Sequence, residues 1–73
     1  MKQNLYWIHL ISTEDMEVIE FSRMATGLEK MRKEADAIAE CYNLHGYNIN
    51  MVRIFSEDKE LLISYNVINP FVD

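Results

Sequence analysis

Cys41 and His45 stand four residues apart, a spacing that brings two side chains together on one face of a helix. A thiol beside an imidazole has the ingredients of a nucleophile and its base. With His9 added, the same residues offer three potential metal ligands. Position argues against both roles. The pair falls near the C-terminal end of the helix predicted below, where the dipole has the wrong sign to stabilise a thiolate. Glu40, the neighbour of Cys41, adds negative charge. A closed structural zinc site takes four Cys or His ligands, and the chain supplies one Cys and two His. The expected roles are a half-buried cysteine and a histidine in the capping region. No catalytic residue, metal or cofactor is expected.

Two groups of carboxylates flank predicted turns: Glu14, Asp15, Glu17 and Glu20, then Glu57, Asp58 and Glu60. General acid–base work needs a pocket that drives two pKa values apart, so solvated turn charges are the expectation. One acidic end of the molecule is the sharper alternative. Lys30, Arg32 and Lys33 form a small basic cluster toward the start of the helix. The helix dipole disfavours cations there, which makes the cluster a candidate partner-binding spot. Tyr6, Trp7, Tyr47 and Tyr65 are strand aromatics able to stack bases, but no basic surface accompanies them. Phosphate-loop, dinucleotide, HExxH and GxSxG motifs are absent from the sequence.

The elements that carry these residues belong to one domain at most, since the chain has 73 residues. A core of that size supplies only about 3–5 kcal/mol unaided. One cysteine forbids an internal disulfide, so oligomerisation is the remaining aid. The charge of −5 makes nucleic acid a poor partner. No apolar run approaches the ~18 residues of a membrane span. "MKQNLYW" lacks the features of a signal peptide, and a cytoplasmic protein is expected.

Met24, Leu28, Met31, Ala35, Ile38 and Tyr42 recur at spacings of four and three, an apolar helical stripe. Thr26 and Glu29 fit a capping box, and Gly46 suits the position after the last turn. The helix is predicted from about Gly27 to His45. Strands are predicted at Leu5–Ile11, Met16–Phe21, Tyr47–Phe55 and Leu61–Ile68, the second having a rival as an early start to the helix. The fold class is α+β: one helix packed on a small antiparallel sheet in β-β-α-β-β order, with three or four strands. "ISTEDMEVI" and "FSEDKELLI" echo one another, as two hairpins with similar turn chemistry would.

"LYWIHLI" poses the main problem. Alternate strand residues face opposite ways. Tyr6, Ile8 and Leu10 line one face; Leu5, Trp7, His9 and Ile11 line the other. One helix covers one face. The second is expected to meet another copy of the chain, with Leu5, Trp7, His9, Ile11 and Leu62 as the dimer interface. Edge-to-edge strand pairing and a folded-back "NPFVD", with Phe71 and Val72 as cover, are the alternatives. His9 is placed to titrate as such a dimer forms.

In "LYWIHLIS", "TGLEKMRKEADAIAECYNLHG", "NMVRIF" and "LLISYNVI" the whole chain resembles the Yopt-like family of small prophage proteins from Bacillus. The resemblance implies a homodimer of small subunits with one helix and a few strands. It brings no functional residues, and three strands in that family would remove the strand at Met16–Phe21. The leading expectation is a non-enzymatic homodimer that binds a host or phage protein. The alternatives are an acidic DNA mimic that inhibits a nucleic-acid-binding protein, and a small-molecule binder or enzyme with its site at the dimer seam.

Overall fold

The computed structural model describes residues 2–71, and Val72, one of the residues considered as cover for the second sheet face, lies outside them. Four strands and one helix follow in the order β1 (Asn4–Ser12), β2 (Glu17–Ala25), α1 (Leu28–Leu44), β3 (Met51–Phe55) and β4 (Leu61–Asn66). The sheet is antiparallel throughout, in the order β2-β1-β3-β4. β1, the strand apolar on both sides, lies between two neighbours. Nine register pairs, from Asn4–Ala25 to Ser12–Glu17, join it to β2. α1 carries the chain from β2 across β1 to β3, packing on one face of the sheet.

That face supplies the core. Tyr6, Ile8 and Leu10 of β1 and Val52 and Ile54 of β3 are buried against Met31, Ala35 and Ala39 of α1. Ile19, Phe21, Ile63 and Tyr65 extend it toward the two edges. The alanines keep the helix close to the sheet, while Leu28, Ile38 and Tyr42 wedge its flanks.

Several predicted boundaries move. β2 is a strand, and it runs on to Ala25, so Phe21 and Met24 belong to the sheet. Met24 is therefore no part of the helical stripe; it points to the side opposite α1 and is half exposed. The helix cap is Gly27 in extended backbone, with no side-chain cap bond, so Thr26 does not close a capping box. Gly46 does end the helix as predicted, at φ +98°, its N–H donating to the Asn43 carbonyl. β3 starts only at Met51, and β4 ends at Asn66. Tyr47–Asn50 is a loop pinned by Asn43: Asn43 Nδ2 donates to the Ile49 carbonyl at 3.0 Å, and the Ile49 N–H donates to Asn43 Oδ1 at 2.6 Å. These bonds sink Ile49 fully into the core, whereas the predicted strand Tyr47–Phe55, carried back from Met51, would turn Ile49 to the opposite face.

The two echoing turns share their chemistry. Each opens on a serine whose Oγ accepts a backbone N–H, from Asp15 or from Glu60. Each closes on a left-handed residue before a glutamate, Met16 at φ 55° and Lys59 at φ 65°.

Candidate functional site

The sheet face opposite α1 is the largest surface with an organised pattern. The registers arrange it in rows across the strands. Leu5 pairs with Met24 at one end. Ser22, Trp7, Phe55 and Leu61 form the next row. Glu20, His9, Arg53 and Ser64 form the third. Val18, Ile11, Met51 and Asn66 form the fourth. Two largely apolar bands thus flank one polar row. Among the described residues nothing lies over this face as a further layer; Val18 is 57% exposed, Leu61 55% and Met24 50%. Leu5, Trp7, Ile11, Met51 and Phe55, nearer the middle, are half-buried by their own neighbours.

The polar row is wired. His9 Nε2 donates to Glu20 Oε2 at 2.7 Å, and the His9 ring stacks at a tilt on Phe55, centroids 4.6 Å apart. Lys59 reaches in from the β3–β4 turn. Its Nζ lies 4.2 Å from the centre of the Trp7 ring and 3.7 Å from Glu20 Oε2. The His9 hydrogen bond lowers the Glu20 pKa from its ordinary value against the opposing pull of desolvation, with a lesser lowering from the charge of Lys59. The face therefore carries Glu20, Lys59 and Arg53 between two largely apolar bands.

Of the predicted interface residues, Leu5, Trp7, His9 and Ile11 do share this face. Leu62 does not continue a row. It sits where the β3–β4 register slips between Ile54 and Phe55. There it lines an open cleft of about 550 Å³ together with Leu5, Met24, Glu57 and Asp58, so it adjoins the face at its Leu5 end.

The helical basic cluster divides. Lys30 and Lys33 are exposed. The Arg32 guanidinium lies 4.5 Å above the Tyr65 ring, tying α1 to the edge strand β4. The Tyr65 hydroxyl donates to Asp36 Oδ1 at 2.7 Å. Burial, and then that bond, drive the phenol well above its ordinary pKa.

Cys41 is exposed, and His45 does not engage its thiol: His45 Nδ1 donates to the Cys41 carbonyl at 2.8 Å, serving the helix end. His9 lies across the sheet from both. Among the described residues no three His, Cys, Asp or Glu side chains gather as a metal site. The two acidic turns do not converge. β1 and β3 are antiparallel, so the turn after Ser12 and the turn after Phe55 lie at opposite ends of the sheet.

A second surface escaped the sequence reading. Ala37, Cys41 and Leu44 make a short exposed apolar strip on α1. Beside it runs an open groove of about 490 Å³ floored by Ile38, Tyr42 and Tyr47, with Arg23 on its rim. The signal was present in the four-and-three spacing of 37, 41 and 44, but the charged residues between them masked it.

Comparisons with protein-family models, curated proteins and solved structures returned no match. No helix among the described residues is long and apolar enough to cross a membrane.

Proposed function

We propose that this chain is a non-enzymatic protein that pairs with a second copy through the open face of its sheet and acts by binding another protein, of phage or host origin. The carrying observation is the pair of apolar bands on β1, β2 and β3 that α1 leaves uncovered. A domain this small has little stability to spare. Withdrawing Trp7, Ile11, Met51 and Phe55 from water at about 25 cal/mol per Å² rewards association. An uncovered band of half-buried apolar side chains edged by exposed Val18, Met24 and Leu61 and by charge is the usual mark of a protein interface. The resemblance to the Yopt-like prophage proteins points the same way, since it implies a homodimer.

With the sheet faces paired, α1 remains outermost. Its exposed Lys30 and Lys33 and the Ala37–Cys41–Leu44 strip are then the surfaces offered to the other protein. Light scattering on the eluting protein tests the first half; a mass near 8.6 kDa at every concentration rejects it. Affinity capture from host lysate with wild-type protein and a Lys30→Glu/Lys33→Glu variant tests the second. Loss of a specific captured protein in the variant supports the helix as the docking surface; identical capture rejects the basic residues' part in it.

A further inference from the structure

We propose that the two copies meet about a two-fold axis running parallel to β1, so that Glu20 of each subunit pairs with Arg53 of the other. This rests on the self-association reading above and fixes its geometry.

Two sheets stacked face to face can be related by an axis lying between them, either along the strands or across them. A sheet interface must put apolar area on apolar area and polar on polar, because unpaired groups sealed under a partner are costly. An axis across the strands does that only if it passes along the Glu20–His9–Arg53 row. It then lays Glu20 over Glu20 and Arg53 over Arg53, a like-charge clash at both positions. An axis along β1 keeps every row over itself and exchanges the strands on either side, β2 over β3. Glu20 on β2 and Arg53 on β3 flank His9 in one row, each one strand from β1. The operation therefore sets each glutamate opposite an arginine, twice. Trp7 and Ile11 stack on their own symmetry mates, and Phe55 lies over Ser22. Packing with strands aligned within about 30° is a standard arrangement for stacked sheets.

Size sets the strength. Strands of about 3.4 Å per residue at spacings of about 4.8 Å make the shared face of β1, β2 and β3 roughly 30 by 15 Å. Pairing it buries on the order of 1,000 Å² in total, the low end for a specific complex. The dimer is thus expected in the micromolar range, where two ion pairs decide its register. The pairing requires Lys59, whose Nζ lies 4.2 Å from the Trp7 ring centre and 3.7 Å from Glu20 Oε2, to leave that ring as the sheets meet.

The test is a charge swap read by sedimentation equilibrium at low salt. Glu20→Arg alone and Arg53→Glu alone each set like charges opposite one another and are expected to weaken the dimer tenfold or more. The double swap restores opposition and is expected to return the Kd to within about threefold of wild type. A second arm needs no ion pair: Ile11→Cys in a Cys41→Ser background lies on the axis, so a bis-maleimide about 10 Å long joins two copies, whereas Val18→Cys resists it. A wild-type protein with no dimer overturns this proposal together with the self-association reading. A wild-type dimer with no rescue in the double swap and no Ile11→Cys cross-link overturns the axis alone.

Discussion

Asn43→Ala is the most informative single change in the core. Asn43 is 4% exposed and clamps the loop at Ile49, between the backbone bonds that Tyr47 makes to Tyr42 and Asn50 makes to Ile11 and Val67. Its side chain makes two hydrogen bonds to one residue, accepting from the Ile49 N–H at 2.6 Å and donating to the Ile49 carbonyl at 3.0 Å. Each bond contributes about 1 kcal/mol net, and each buried backbone group left without a partner costs about 1–3 kcal/mol. Partial access of water to the loosened loop keeps the sum near 2–4 kcal/mol. That is most of what a domain this size possesses. Urea unfolding followed by circular dichroism, at one fixed protein concentration, measures it. With a slope of about 1 kcal/mol per molar urea for so short a chain, the midpoint is expected to fall by about 2 M or more. Asn50→Ala is the control: it removes bonds to Thr13 at the exposed rim of the same loop and should cost about 1 kcal/mol or less. An Asn43→Ala midpoint within about 0.5 M of wild type would refute the clamp and, with it, the account of why Ile49 is buried.

Three further outcomes follow from local geometry. Thr26→Ala should change stability by only a few tenths of a kcal/mol, because Gly27 and not Thr26 caps α1; a loss near 1 kcal/mol in the same urea assay would restore the capping box. Gly46→Ala should cost about 1 kcal/mol, since φ +98° is strained for any residue with a Cβ although the space beside it is open; an unchanged melting temperature would contradict this. Tyr65 has its folded pKa raised above the unfolded value, so the stability it contributes is complete below about pH 10 and is lost as pH climbs past that point. Tyr65→Phe should flatten this alkaline decline, and ultraviolet titration should find a phenol ionising above the ordinary range that is lost in Tyr65→Phe.

The architecture was legible because β1 and α1 announce themselves. "LYWIHLI" is a nearly unbroken apolar run of strand-favouring residues, and Met31, Ala35, Ile38 and Tyr42 repeat at helical spacing. The face of Leu5, Trp7, His9 and Ile11 was readable from the two-residue period of a strand alone. What the rows contain was not, because register depends on pairing between distant segments: Arg53 joins His9 and Glu20 only once β3 is laid against β1. The slip at Phe55 displaced Leu62, and no sequence pattern marks a bulge of that kind. The predicted strand Tyr47–Phe55 begins only at Met51 because a single buried asparagine, Asn43, holds Ile49 in a loop and overrides strand alternation. The capping box failed for a similar reason: β2 runs on to Ala25, and the chain swings into α1 through extended Gly27, leaving Thr26 in the connection.

Trp7 is the chain's only tryptophan and sits in the middle of the uncovered face, so its emission reports directly on what meets that face. A dilution series from the millimolar to the nanomolar range, at fixed pH and salt, tests the central claim. The account predicts a single transition to longer wavelength at micromolar protein, as sheets part and water reaches the indole. A spectrum that stays constant over the whole range, for a particle that remains 8.6 kDa throughout, would contradict it.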